Sequence, residues 1–363
     1  MKQLILFFFG LLTVGAMLLG QNKVVPLTNR SFADSIRVEF KIPELAYAVI
    51  TSDTILEIQV LGFQKINTNL KAKFNDKFRI GSNTKTITSY IAALLVKQNK
   101  IKWDTKFFDL YPELKEKSNS AYYDLTLQDL ITLRAHLIKW TYTNETPTEK
   151  EIKGNQRKQR YEFVSWILKQ SPDTSTKVTY WSNPSYVAAG LMLEKATGKD
   201  YETLVYDLGK ELNIEFGFGQ PNLKENQPWG HNSDLVPEKP DQNYKLNWLS
   251  SAGNVNVSLP DYVKFIQLQL KGLSGKSQVF SAEEFNKMHY GLPDFSFGWQ
   301  NYVDEDTKLQ YSHHKGNPGS FLSQIFICKD TDRAYIFFAN VQSEEAEKGL
   351  SLLFDELKRK QGK

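Results

Sequence analysis

The sequence predicts an α+β protein: an antiparallel sheet built from both chain ends and flanked by helices, with a mostly helical lobe inserted in the middle. Three patterns carry this. Strand-like apolar runs occur early, at Leu45–Ile50 and Ile55–Val60, and return only at Phe321–Cys328 and Ala334–Ala339. Between about residues 101 and 244 helical patterns alternate with long polar loops. An amphipathic helix closes the chain. These patterns predict one domain over 21–363, with a sheet lobe at about 21–100 and 245–363 and a helical lobe at about 101–244. There is no internal repeat and no low-complexity stretch.

In chain order, Met1-Lys2-Gln3 leads into an apolar run from Leu4 to Leu19 and a polar exit at Gly20-Gln21-Asn22. One early lysine, a short apolar core and a polar exit match an export signal. The run is a little short for a membrane span of ~20 residues, so residues 1–20 read as a signal peptide, with an uncleaved N-terminal anchor as the alternative. A periplasmic or secreted protein is expected, with any membrane contact confined to this segment. No cysteine follows the run, which argues against lipoprotein attachment. Next, Leu45–Ile50 and Ile55–Val60 flank Ser52-Asp53 and predict a β-hairpin. Lys77-Phe78-Arg79-Ile80-Gly81 reads as an extended segment ending in glycine. Ile87, Tyr90, Ile91, Leu94 and Leu95 then give the i, i+3, i+4, i+7, i+8 stripe of a helix. Lys139–Gln159 is polar and predicts a mobile surface loop. Leu259–Leu270 predicts a helix with Asp261 suited to its first turn. Lys329-Asp330-Thr331-Asp332 predicts a turn between the two late strands. Ser343 caps a last helix whose apolar face is Leu350, Leu353, Phe354 and Leu357, with acidic residues at its start and Lys358, Arg359 and Lys360 at its end.

Composition narrows the function. With 363 residues, 41% apolar and 24% charged, the chain suits a globular enzyme with a large core. A net charge of +4 without a dense basic block argues against nucleic acid as a partner. The single Cys328 cannot form an internal disulfide and reads as a small buried hydrophobe. The five histidines are scattered apart from the adjacent pair His313-His314, and the sequence has neither a cysteine cluster nor a His-x-x-x-His pair. No metal or cofactor is expected.

The chemistry centres on Gly81-Ser82-Asn83-Thr84-Lys85. Side chains at i and i+3 share one helix face, so Lys85 can reach Ser82. A serine attacks only when something takes its proton. A lysine can do so only when neutral, and burial at a helix start pushes its pKa down. The plain alternative is an N-capping serine beside a solvated lysine. Two further segments stand out: Tyr180-Trp181-Ser182-Asn183-Pro184-Ser185-Tyr186, continuing to Gly190 and Gly198, and His313-His314-Lys315-Gly316-Asn317-Pro318-Gly319-Ser320-Phe321.

With Phe78–Lys85, the order and spacing of these segments resemble the serine β-lactamase-related superfamily (β-lactamase/transpeptidase-like fold), especially class C β-lactamases and their esterase and D-aminopeptidase-like, penicillin-binding relatives. The resemblance spans about Ile42 to Asn340, with weaker echoes at Ile42-Pro43, Ser251-Ala252-Gly253 and Phe297-Gly298-Trp299. It implies that Ser82 is the acylated nucleophile and that Lys85 takes its proton or tunes a neighbouring base. Asn183 would hydrogen-bond substrate and the lysine. His314 and Gly316 match the family's Lys-Thr-Gly element in its His-x-Gly form, implied to lie on an edge strand facing the serine. The backbone N–H groups of Ser82 and Asn317 would form the oxyanion hole, each typically worth ~3 kcal/mol toward the transition state. The implied partner is a small-molecule or peptide substrate.

Two departures qualify this. The family places Tyr two residues before the Asn, where this chain has Trp181. An indole is a donor only and cannot accept a proton. Lys85 then acts alone as base, or Tyr180 is brought in by a local bulge, or the site binds without turnover. The second departure is Leu133-Arg134-Ala135-His136, where relatives carry His-Thr-Ser-Gly. It implies an altered loop beside the cleft; His136 reads as a structural or surface histidine rather than a catalytic one, and Arg134 reads equally well as solvated or as part of the site. Trp140, Trp229, Trp248 and Trp299 read as core, with an aromatic pocket as the alternative. His314 is mostly neutral near pH 7, unlike a lysine that would hold a β-lactam carboxylate, which favours an ester or peptide substrate. The leading expectation is an exported serine hydrolase acting on an ester, a peptide or D-amino-acid amide, or a β-lactam-like substrate. The rival is a non-catalytic binder of the same fold. No Gly-x-Ser-x-Gly elbow supports a Ser-His-Asp hydrolase.

Overall fold

The computed structural model describes residues 29–174, 177–240 and 244–361. The proposed export segment lies outside them. Among the described residues no helix is long and apolar enough to cross a membrane.

The hairpin forms as the alternation predicts, as β1 (Glu44–Ile50) and β2 (Ile55–Gly62). β1 also pairs antiparallel with the late strand β9 (Arg333–Ala339), which follows β8 (Leu322–Cys328) through the Lys329–Asp332 turn. The main sheet runs β2-β1-β9-β8-β7-β6, with β6 at Gln300–Val303 and β7 at Gln310–Gly316. Both chain ends therefore meet at its centre. The continuous apolar runs in β1, β8 and β9 have a simple cause: both faces of the sheet are covered. Ala46, Ala48, Ile50, Ile325, Ile327, Ile336 and Phe338 enter the larger core, which contains the Ser82 helix. Their alternating neighbours Leu45, Tyr47, Val49, Phe326 and Phe337 enter a second core. That second core is closed by the helices Arg30–Glu39 and Glu344–Gln361, the latter burying Leu350, Leu353, Phe354 and Leu357 as its pattern predicts.

A small second, three-stranded sheet positions the serine. β3 (Lys77–Arg79) pairs with β5 (Val255–Ser258), and β5 with β4 (Gly217–Phe218). At the end of β3 the chain turns through Gly81, at φ +50°, into a 3-10 turn over Gly81–Asn83 and then the helix Thr84–Lys97. This helix is not one-sided. All its residues from Thr84 to Ala93 are buried, together with Leu95, because the helices Asn183–Thr197, Tyr201–Leu212 and Ser250–Gly253 pack around it. Leu94 is the half-buried member of the predicted stripe.

The segment Lys139–Gln159 differs from the mobile surface loop expected. The helix Gln156–Ile167 begins inside it, and Trp140 and Ile152 are buried. Trp140 packs against Phe163 and, stacked at 5.6 Å, against Trp248. Truncating such a buried aromatic typically costs ~3–5 kcal/mol, enough to tie down an otherwise polar loop. Trp299 is likewise buried and stacks on His289, whereas Trp229 is half-buried beneath the Lys65 amine.

Candidate active site

Lys85 is buried, with 1% of its surface exposed, so a solvated lysine is overturned. Its Nζ lies 3.0 Å from Ser82 Oγ, 2.8 Å from Asn183 Oδ1 and 2.8 Å from the Ala252 carbonyl oxygen. Among the described residues no carboxylate pairs with it, and burial pushes its pKa down to about 7. Hydrogen-bond arithmetic then favours one arrangement. A neutral amine has two N–H groups and one lone pair. Asn183 Oδ1 and the Ala252 carbonyl can only accept, so they take both N–H groups. The lone pair is left for the one neighbour that can donate, the Ser82 hydroxyl.

Each partner is held in turn. Asn183 opens the helix Asn183–Thr197, capped by Ser182. Its Nδ2 donates to the Trp140 carbonyl at 3.1 Å, which turns Oδ1 toward Lys85. Ala252 carries no side-chain signal for this role. The clue in the sequence is the small triplet Ser251-Ala252-Gly253, which permits close approach. A Cβ on Gly190 would come within 2.4 Å of Ser251 Oγ, and one on Gly253 within 3.6 Å of the Gly81 carbonyl carbon.

Across the cleft, β7 is not the edge strand. β6 lies outside it but pairs only Gln300–Val303 with Gln310–His313. The end of β7 that bears His314 and Gly316 is thus left uncovered on that side. It packs directly on the serine turn: a Cβ on Gly316 would lie 1.9 Å from the Ile80 oxygen, and one on Gly81 2.9 Å from the Asn317 nitrogen. The backbone N–H groups of Ser82 and Asn317 donate to no backbone or side-chain acceptor among the described residues. Alternation along β7 sends His313 to the second core, stacked on Phe326, and His314 to the cleft side. His314 Nδ1 donates to the Gly298 carbonyl at 2.7 Å, which leaves Nε2 as the lone-pair nitrogen. Burial first, then Lys85 and His313, push the His314 pKa down to about 3, so the ring is neutral.

Tyr180 requires a correction. No bulge brings it to the serine. Its ring stacks on His136, with the Lys139 amine 5.0 Å from the ring centroid, and its phenol bonds Asp173. Burial and Asp173 raise its pKa to about 12. The reason is the extended backbone at Ser182, φ −137° and ψ 116°. Successive side chains there alternate, placing Trp181 and Asn183 on one side and Tyr180 on the other. Trp181, 39% exposed, stands edge-on to His314 and Phe295 with ring centroids at 5.9 and 5.2 Å. Arg134 is not solvated either. Its guanidinium donates to the carbonyls of Thr132, Phe295 and Pro293 and so ties down the loop carrying Phe295.

Two supports were not legible in the motifs. Arg79, fully buried at the end of β3, donates to the Pro318 carbonyl at 3.3 Å and lies 3.9 Å from Glu238. Glu238 accepts from Ser320, and Tyr142 also donates to the Pro318 carbonyl. The loop that presents the Asn317 N–H is thereby clamped from beneath and from the side.

A serine turn and a buried lysine, with the end of an antiparallel strand against them, define a protein of the β-lactamase and penicillin-binding fold. The chain belongs to the Beta-lactamase family, whose model matches residues 32–357. It is similar to Protein flp of Staphylococcus aureus, 22% identical over 317 residues, which cover 85% of this chain and 61% of that protein. The structure resembles the octameric penicillin-binding protein homologue of Pyrococcus abyssi, with TM-score 0.72, 18% identity, and 90% and 76% of the two chains covered. It also resembles a class C β-lactamase of Rhodobacter sphaeroides, with TM-score 0.71, 17% identity, and 90% and 98% covered. At these identities the solved structures establish the fold. Family membership supports serine-hydrolase chemistry in general terms.

Proposed function

We propose that the protein is an exported serine hydrolase that works through an acyl-enzyme on an ester, a peptide or D-amino-acid amide, or a β-lactam-like substrate. The observation that carries this is the buried Lys85 amine 3.0 Å from Ser82 Oγ, its pKa pushed down to about 7 by burial. In the first step the Ser82 proton passes to Lys85 Nζ while Oγ forms a bond to the substrate carbonyl carbon. The carbonyl oxygen becomes an oxyanion, supported by the N–H groups of Ser82 and Asn317. As the bond to the leaving group breaks, the Lys85 ammonium returns its proton to that group. Water then repeats the sequence on the ester, with Lys85 again taking a proton. Trp181 cannot supply the family's phenol, so Lys85 is the sole base. General-base help is typically worth ~10²–10⁴-fold, so the loss of a second group slows such an enzyme without abolishing it.

The exposed indole of Trp181 against His314 favours a second reading, in which the site binds a ligand without turning it over. Treating the mature protein with a fluorophosphonate and with neutral aryl esters separates the two. The hydrolase reading expects covalent mass on Ser82 and ester turnover, both lost in Ser82→Ala and Lys85→Ala. A folded protein that neither labels nor turns over any ester supports the binder.

A further inference from the structure

We propose that His314 selects substrates that present an uncharged hydrogen-bond donor, an amide N–H or a hydroxyl, toward the end of β7, and rejects those that carry a carboxylate there. The inference rests on the acyl-enzyme reading above and names the substrate class of that site.

Three observations carry it. First, the tautomer is fixed: Nδ1 is committed to the Gly298 carbonyl, so Nε2 can only accept. Second, Nε2 is buried and has no hydrogen-bond partner among the described residues, in a ring that is itself fully buried. A buried acceptor left unmet costs free energy, which a ligand donor would recover. Third, the ring faces aromatic edges, and among the described residues the one amine acting on it, Lys85, is already engaged by Ser82, Asn183 and the Ala252 carbonyl. Trp181 and Phe295 stand edge-on to the ring. Arg134 is spent on three carbonyls, Arg79 lies beneath Pro318, and Lys315 is exposed at the next position along the strand, where alternation turns it to the other face. A carboxylate placed against Nε2 would meet a lone pair with its own lone pairs and shed its hydration against two aromatic rings. An amide N–H or hydroxyl would meet an acceptor already oriented for it.

The test uses matched thioester substrates with the same acyl group and the same leaving thiol, ending in a carboxamide or a carboxylate on the leaving side, and a second pair with that group on the acyl side. The expected result is a kcat/KM preference of about 100-fold for the carboxamide in at least one pair, toward the upper end of what one unmet buried hydrogen-bonding group costs. In His314→Lys the preference inverts. In His314→Phe, which keeps a ring but no acceptor, it falls toward unity. Equal or better turnover of both carboxylates by the wild-type protein overturns the proposal, whatever the variants do. Failure of every thioester, neutral ones included, overturns the acyl-enzyme reading instead. Calorimetric binding of the same pairs to Ser82→Ala protein then still decides the selectivity: tighter carboxamide binding upholds it, and equal or tighter carboxylate binding overturns it.

Discussion

Replacing Lys85 with methionine tests whether its amine is buried uncharged. The ordinary lysine value of 10.5 falls to about 7 in the fold. Between those values the unfolded chain holds a proton that the folded chain has released, so stability rises with pH across this window. Integrating the two titrations, the wild-type protein carries a penalty of about 5 kcal/mol at pH 6 and about 2 kcal/mol at pH 9. Lys85→Met removes that penalty and also strands the acceptors on Asn183 and Ala252, at ~1–3 kcal/mol each. The absolute change at any one pH is therefore a difference of similar numbers. Its pH dependence is not, because the lost hydrogen bonds do not titrate. Denaturant unfolding of both proteins at pH 6, 7.5 and 9 should show wild type gaining about 3 kcal/mol on the variant from the lowest to the highest pH. A difference that stays constant across that range would mean the amine keeps its ordinary value, and the reasoning would fail.

Other expectations follow from the same geometry. Asn183→Ala should slow Ser82 labelling by ~10–100-fold while thermal unfolding shows a folded protein, because Lys85 loses the acceptor that aims its lone pair. Tyr180→Phe should leave ester turnover within about twofold, since its phenol bonds Asp173 away from the serine, whereas Trp181→Tyr should raise turnover by ~10-fold by placing a phenol on the Asn183 side. Arg79→Met should lower kcat more than it raises KM, because the Pro318 clamp holds the Asn317 N–H that acts on the transition state, at a stability cost of ~1–3 kcal/mol read by denaturant unfolding.

Strands β1, β8 and β9 were legible because both of their faces are buried, which writes long apolar runs into the chain. The Ser82–Lys85 pair was legible because three residues of helix suffice to bring its groups together. β6 and β7 left no such mark. Ser312-His313-His314-Lys315-Gly316 carries no apolar alternation, since one face serves the cleft and the other packs through a histidine. Tyr180 and Trp181 could be sorted only once the extended backbone at Ser182 was known. The Ala252 and Trp140 carbonyls are contributed by the main chain, to which no residue type is a guide. Arg79 and Glu238 are 159 positions apart, counted from their residue numbers, and nothing local links them.

The most direct measurement is the pH dependence of Ser82 acylation by a neutral fluorophosphonate, followed by intact mass. The rate should climb with a midpoint near 7 and level off above it, and Lys85→Ala should be at least ~100-fold slower with no such midpoint. A rate that keeps rising to pH 10 without a break, or one that Lys85→Ala leaves untouched, would contradict an uncharged amine as the group that takes the serine proton.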